Sequence, residues 1–250
     1  MHRHLHAGAG FPHNTPVHLP NTIILDLDDT ILDDSSSVES AWFEAVSLAA
    51  ARSVGPDTLL PLVHQYRDWY WSDPTRNRQG RADLRAASAC IVAGALDQLN
   101  VRDASLARAI ANRYRDLREA AIEPFPGAIE TLEALRARDI RLGLITNGAA
   151  QDQRAKVDRF GLAPYFDHIL IEGEFGAGKP EPRVYLHVVG ALSAKPEDTC
   201  IVGDNYEWEV LAPAALGFQT IWVDRAAKGP PPNAAARPNR IIRALPDLLQ

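Results

Sequence analysis

The most constraining feature of this sequence is the stretch 23–32, an apolar run that leads into Asp26, Asp28, Asp29 and Thr30. The run has the length of a strand buried on both faces. Burying unpaired carboxylates is costly, so these acids are expected at an open strand end, where ligands bind in α/β sheets. Side chains alternate along an extended chain, which turns Asp26 and Asp28 to the same side. Two such charges favour a hard divalent metal beside a reactive carboxylate.

The next part of the chain predicts an inserted helical domain. Amphipathic patterns cover 38–53, 57–71, 84–99 and 104–121, and no strand pattern follows until residue 140. About 90 residues of helix exceed a usual connection between two strands. We therefore expect a core formed by 22–33 and 123–250 and a helical cap formed by 34–122. Residues 1–21, with several histidines among Gly and Pro, are expected to be a mobile leader.

From residue 126 onwards, helical and strand patterns alternate regularly. Strands are predicted at 140–145, 168–171, 199–202 and 219–223, and helices at 127–138, 151–160, 181–192 and 206–216. A strand-like turn and a short helix are expected over 241–249. This alternation predicts an α/β fold, a Rossmann-like parallel sheet with helices on both faces.

Composition restricts the class of protein and its partners. The formal net charge of −6 argues against a nucleic acid polymer as a partner. The two cysteines, Cys90 and Cys200, need no disulfide, which favours a reducing cytoplasm. No apolar run reaches the ~20 residues of a membrane span, and the first residues lack a signal-peptide core.

Polar residues follow the later strands as well as the first. Thr146, Asn147 and Gly148 come just before a helix, where a hydroxyl and backbone amides suit phosphoryl oxygens. Lys179 follows a glycine-rich approach, and Asp204 ends another apolar strand. Taken singly, these residues are explained by a turn, a surface lysine and a helix cap. Because they follow successive parallel strands in order, together they indicate one site.

The segments 26–30, 146–147, 179–180 and 203–209 together resemble the four motifs of the haloacid dehalogenase superfamily of hydrolases, in its phosphatase branch. The first and fourth motifs are specific, and the middle two support them. The resemblance covers residues 22 to about 224, and the helical insert is similar to the family's α-helical cap of the first type. It implies an enzyme that hydrolyses phosphate monoesters.

The resemblance also implies a role for each motif residue. Asp26 would attack phosphorus and form an aspartyl phosphate. Asp28 would protonate the leaving alkoxide and then deprotonate the water that cleaves the intermediate. Lys179 would bridge the nucleophile and the phosphoryl group, while Thr146 and Asn147 would bind the transferring oxygens.

The implied cofactor is Mg²⁺, held by Asp26, the backbone carbonyl of Asp28, and Asp204. The chain departs from the family pattern at Glu209, where the fourth motif usually has a second Asp. The longer side chain is expected to act on the metal through a water rather than directly.

The substrate is expected to be a small phosphorylated metabolite, a nucleotide or a sugar phosphate. A predicted cap loop over 72–81 carries Arg76, Arg78 and Arg81, which we expect to reach over the acidic strand end and bind a substrate anion. The aromatic residues at 69–71 fit either the core of the insert or a surface that stacks a base.

Four other functions are compatible with parts of this pattern. A dehalogenase of the same superfamily lacks the acid two residues after the nucleophile, whereas Asp28 is present here. A receiver-type signalling domain also phosphorylates an Asp beside Mg²⁺, but it has no cap and is roughly half this length. A phosphosugar mutase uses the same constellation with a different fourth motif, and it stays open. So does a non-catalytic binding protein with this fold.

Overall fold

The computed structural model describes residues 19–52 and 54–250. The histidines expected in a mobile leader, at positions 2, 4, 6, 13 and 18, lie outside the described residues. Among the residues that are described, no helix is both long and apolar enough to cross a membrane.

The centre of the core is a parallel sheet of six strands, in the order β5-β4-β1-β6-β7-β8. A separate antiparallel pair consists of β2 and β3. The strands are β1 (Thr22–Leu25), β2 (Leu32–Asp33), β3 (Glu123–Pro124), β4 (Arg141–Thr146), β5 (His168–Ile171), β6 (Thr199–Gly203), β7 (Gln219–Val223) and β8 (Arg240–Ile242). The order changes direction at β1, so the first acidic motif lies at the switch point where open α/β sheets bind ligands.

Both faces of the sheet are buried, as the apolar composition of its strands requires. On β1, Ile23 and Leu25 pack into the core on one face, while Ile24 packs into the core on the other. Leu27 is fully buried in the same core as Ile23 and Leu25, so the side chains of Asp26 and Asp28 point away from that core. The alternating α/β fold predicted from the sequence is confirmed.

Ten α-helices are formed by the described residues. They are α1 (Val38–Val46), α2 (Pro56–Ser72), α3 (Pro74–Ala82), α4 (Leu84–Asp97), α5 (Ala104–Ala121), α6 (Ala128–Arg136), α7 (Ala150–Arg159), α8 (Glu172–Phe175), α9 (Pro182–Ala191) and α10 (Ala212–Ala214). A π-helical segment, Tyr206–Leu211, precedes α10, and 3₁₀ segments follow α1 and end the chain at Leu245–Leu249.

The helices α1 to α5 form an insert with a hydrophobic core of its own. At its centre Trp42 and Tyr114 stack with ring centroids 3.5 Å apart and planes 9° from parallel. The chain enters the insert after β2 and leaves it before β3, and these two strands pair antiparallel, Leu32 with Pro124 and Asp33 with Glu123. Both crossings between core and insert therefore lie side by side.

A predicted loop is a helix in the structure. Residues 72–81, expected to be a loop, contain α3, which begins with Pro74 after the Asp73 carboxylate caps the Arg76 amide at 2.8 Å. The first strand ends at Leu25, one residue before Asp26. The chain turns there through Asp29, whose φ of 58° is left-handed and whose carboxylate accepts bonds from the Asp34 and Ser35 amides.

Candidate active site

A cavity of about 260 Å³ opens at the carboxyl ends of β1, β4 and β6. Because β4 and β6 flank β1, their final residues converge around Asp26. The residues predicted from the sequence that line this cavity are Asp26, Asp28, Arg81, Thr146, Asn147 and Asp204. The carboxylates of the first and fourth motifs thus face the same hollow, with the insert contributing its roof through Arg81 and Leu84.

Beneath the cavity floor, Asp26 belongs to a buried charged triad with Lys179 and Glu209. The Lys179 Nζ lies 2.5 Å from an Asp26 oxygen and 2.7 Å from Glu209 Oε1. Burial alone would lower the pKa of Lys179, but Asp26 and Glu209 outweigh it and raise this pKa well above its ordinary value. The Thr30 hydroxyl donates to the other Asp26 oxygen at 3.0 Å. The Asp26 carboxylate is therefore fixed in orientation before any ligand binds.

Glu209 is held by two groups of the protein. Besides Lys179, it accepts a hydrogen bond from the Asn205 backbone amide through its second oxygen at 2.9 Å. Gly203 explains how it fits, since a Cβ there would lie 2.2 Å from the Glu209 Cγ and 2.9 Å from the Asp26 Cβ. Both Glu209 oxygens are thus engaged, which makes it the counterion that positions Lys179.

Asp28 faces the cavity beside Asp26 and is held from helix α7. Lys156 Nζ lies 2.7 Å from one Asp28 oxygen, and Gln153 donates to the other at 3.0 Å. Burial raises the pKa of Asp28 although Lys156 opposes this effect. A carboxyl that retains a proton more readily than usual, in a fixed orientation, suits general acid and base chemistry.

Asp204 completes the acidic side of the cavity. Burial, together with the nearby Asp26, Glu209 and Asp29, raises the pKa of Asp204 to about 8. Burial and the neighbouring carboxylates thus both disfavour a charged Asp204, and a hard cation bound beside it would oppose both effects. The described residues contain no cluster of three or more acidic, His or Cys side chains arranged as a metal cage.

The second and third motifs meet through the side chain of Asn147. Its amide donates to the Lys179 carbonyl at 2.8 Å, and its oxygen accepts from the Lys179 backbone amide at 2.8 Å. Thr146 lines the cavity, and its hydroxyl has no hydrogen-bond partner among the described residues. The Gly148 amide, expected to face a phosphoryl group, instead donates to Glu172 at 3.0 Å.

The three arginines of α3 have different positions. Arg81 lines the cavity and binds Glu172 of the core with two hydrogen bonds of 3.0 and 2.9 Å. Arg78 is largely exposed and lies 3.8 Å from Glu181 at a neighbouring cleft. Arg76 turns back onto Trp69, 4.0 Å from its ring centroid, and donates to backbone carbonyls of α2. The structure brings Arg81 to the site and leaves Arg76 away from it.

Sequence reasoning missed four residues around the cavity: Gln153, Lys156, Glu172 and Asp34. A signal for two of them was present, because Gln153 and Lys156 are three apart and share one face of the helix that follows the second motif. Glu172 offered no such signal, since its partners are distant in the sequence.

Comparison with known proteins places the chain in a family. The model of the haloacid dehalogenase-like hydrolases matches residues 20–217. Phosphoserine phosphatase of Thermus thermophilus is 30% identical over 243 residues, covering 85% of this chain and 92% of that protein. Glyceraldehyde 3-phosphate phosphatase of Methanocaldococcus jannaschii is 28% identical over 208 residues, covering 80% and 82%. The chain therefore belongs to the haloacid dehalogenase-like hydrolases, as the four motifs predicted.

A solved structure supports the fold across nearly the whole chain. The HAD-hydrolase YfnB from Bacillus subtilis, described as bound to magnesium, is 21% identical with a TM-score of 0.69. The match covers 92% of this chain and 97% of that one. At this identity the likeness concerns the fold.

Proposed function

We propose that this protein is a Mg²⁺-dependent phosphatase that hydrolyses a small phosphorylated metabolite through an aspartyl-phosphate intermediate. Membership of the hydrolase family and phosphatase-named relatives support an enzyme of the phosphatase branch. The observation that carries the proposal is the fixed Asp26 carboxylate, bound by Lys179 and Thr30 in a cavity shared with Asp204 and Thr146.

Each reacting group has a task that its contacts favour. Asp26 attacks phosphorus. Lys179 and Thr30 hold its two oxygens, so the carboxylate loses little conformational freedom when it reacts. The ammonium of Lys179 offsets the charge that a carboxylate meets on approaching a phosphate. Thr146, with a free hydroxyl, and the Asn147 backbone amide bind the transferring oxygens.

Asp28 transfers the protons of both half-reactions. It gives a proton to the leaving alkoxide and afterwards takes one from the water that attacks the aspartyl phosphate. Lys156 and Gln153 hold both of its oxygens, so the carboxyl is oriented without touching the Asp26 nucleophile. Neither contact was expected from the motif alone.

The residues present fit a magnesium ion. Asp26 and Asp204 offer carboxylates and Asp28 a backbone carbonyl, a set of the size Mg²⁺ uses when phosphate and water complete its coordination. The raised pKa of Asp204, which burial and the neighbouring carboxylates cause and a bound cation would oppose, supports the same assignment. When bound, the ion would neutralise charge on the phosphoryl group.

The helical insert is proposed to act as a cap over 34–122, on a core of 22–33 and 123–250. It supplies Arg81 and Leu84 to the roof of the cavity, so it helps to select the leaving group.

The free thiols of Cys90 and Cys200 agree with a cytoplasmic location. The proposed partner is a phosphorylated metabolite and not a nucleic acid polymer.

Phosphate release from p-nitrophenyl phosphate tests the proposal. Activity should require Mg²⁺, disappear with EDTA and fall to background in Asp26→Asn, while the matched exposed control Asp158→Asn keeps the wild-type rate. Mass spectrometry of Asp28→Asn after incubation with substrate should detect a phosphoryl group on Asp26, because the step that needs the base is slowed. A fully active Asp26→Asn variant would refute the mechanism.

A further inference from the structure

A second cavity, of about 330 Å³, lies inside the helical insert and adjoins the active-site cavity. Asp34 and Leu84 line both cavities, so the two spaces lie on either side of these residues. We call this second space the insert cavity. Its walls include Trp42 of α1 and Tyr114, Arg115 and Arg118 of α5.

Three side chains that line the insert cavity each carry a buried donor without an acceptor among the described residues. The indole nitrogen of Trp42 and the Nε atoms of Arg115 and Arg118 are buried and have no hydrogen-bond partner in residues 19–52 and 54–250. Trp42 is 1% exposed, Arg115 7% and Arg118 6%. Buried polar atoms in folded proteins are nearly always satisfied, and these three groups can only donate. An occupant with acceptor oxygens would satisfy them.

The charges around this cavity leave one guanidinium without a close partner. Arg118 binds the carboxylate of Asp34 at 2.7 Å. Burial would raise the pKa of Asp34, but Lys156 and Arg118 outweigh it and hold this pKa below its ordinary value. Arg115 makes no hydrogen bond to any described residue, and its nearest carboxylate, Glu119, is 4.0 Å away.

Glu119 is itself occupied elsewhere. Both of its oxygens accept hydrogen bonds from Arg85, at 3.0 and 3.1 Å, on the exposed side of α5. Arg67, the other arginine in the cavity wall, is paired with Glu39 and Asp68. Arg115 is thus the cation at this cavity, among the described residues, that a ligand anion would neutralise.

We propose that the insert cavity binds a carboxylate carried by the substrate, so that the enzyme acts on small phosphate esters of carboxylic acids. The proposal rests on the phosphatase function proposed above and adds the chemical class of the leaving group. The described residues of the cavity wall offer one unpaired positive charge, on Arg115, because Trp42 is neutral and Arg118 is already paired with Asp34. One positive charge matches the single negative charge of a carboxylate, whereas a second phosphate group on the substrate would carry two negative charges. Arg115 would bind the carboxylate, and Trp42 would donate to it.

A matched pair of substrates tests the proposal on the unaltered enzyme. 3-Phosphoglycerate and glycerol 3-phosphate differ in having a carboxylate or a hydroxymethyl group at the same carbon. The wild-type kcat/KM should favour the carboxylate ester by about 10-fold or more, the size expected for a charge-assisted hydrogen bond. Equal rates, or a preference for glycerol 3-phosphate, would overturn the inference.

Variants of the cavity then test whether Arg115 binds the carboxylate of the substrate. Arg115→Met should lower the ratio of the two kcat/KM values by about 10- to 100-fold, chiefly through a higher KM for 3-phosphoglycerate. Arg108→Met, at an exposed arginine on the same helix, is the matched control and should leave the ratio unchanged. A ratio that survives Arg115→Met in a folded protein contradicts the assignment.

Trp42→Phe provides a second measurement if Arg115→Met fails to fold. It removes one donor while keeping an aromatic ring on Tyr114, and it should reduce the ratio by about 2- to 10-fold. The inference and the function fail differently. Hydrolysis of p-nitrophenyl phosphate without discrimination between the paired esters overturns the inference alone, whereas no hydrolysis of any ester overturns both.

Discussion

Replacing Lys179 with Met should destabilise the protein strongly, because it leaves two buried carboxylates without their shared cation. The ammonium lies 2.5 Å from Asp26 and 2.7 Å from Glu209, and the side chains of Lys179 and Glu209 are 2% and 1% exposed. Breaking a buried ion pair from one side costs about 3–5 kcal/mol. For a chain of this size, about 2–4 °C per kcal/mol gives a fall in Tm of about 6–20 °C.

The effect should depend on pH in a defined direction. Burial raises the pKa of Glu209 to about 7 even while Lys179 opposes it, so without the lysine this pKa rises further. A carboxyl whose folded pKa exceeds its unfolded value loses stability as pH increases. The difference between the variant and the wild type should therefore be smaller at about pH 6 and grow above about pH 7.

Thermal unfolding in EDTA, followed by circular dichroism, measures both effects. Lys195→Met, at an exposed lysine of the same core, should shift stability by no more than about 0.5 kcal/mol. The double variant Lys179→Met with Glu209→Gln no longer has the unpaired Glu209 carboxylate, so it should recover part of the lost stability. A Lys179→Met protein as stable as the wild type, or a double variant no better than the single one, would refute the triad argument.

Three further outcomes are expected. Lys156→Met raises the pKa of Asp28, so the limb of the kcat–pH profile governed by Asp28 should move to higher pH; a limb that stays in place means that Asp28 does not govern it. Arg81→Met removes the paired hydrogen bonds to Glu172, and a less firmly held insert should raise KM for the substrate about 3- to 30-fold, which steady-state kinetics would detect. Saturating Mg²⁺, at about 100 times its Kd, should stabilise the wild type by about 2.7 kcal/mol in thermal shift, and Asp204→Asn should abolish most of that gain.

The core and the acidic motifs could be predicted because they depend on short stretches of sequence. An apolar run of a few residues defines each strand, and the polar residue after it marks the open end, so Asp26, Thr146 and Asp204 were assigned to one edge without knowledge of tertiary contacts. Parallel strands align their carboxyl ends, and this general rule supplied the convergence that the cavity displays.

Contacts between residues far apart in the sequence could not be predicted in the same way. Arg81 meets Glu172 across 91 positions and Arg118 meets Asp34 across 84, and no local pattern encodes either pair. Helix α3 was missed for a different reason, because its polar sequence has no apolar face. Its start was nevertheless marked by Asp73 followed by Pro74, a capping residue before a proline at the first helical position.

Because β2 pairs with β3, the insert is joined to the core at a single place. The polypeptide departs at Asp33 and returns at Glu123, two residues paired across a single ladder, about 5 Å apart as in any neighbouring strands. A short turn could bridge that gap, so a different helical insert can take the place of this one without any change in the strand order of the sheet. Chemistry and substrate choice can therefore evolve separately, one in the sheet and the other in whatever is attached at this junction.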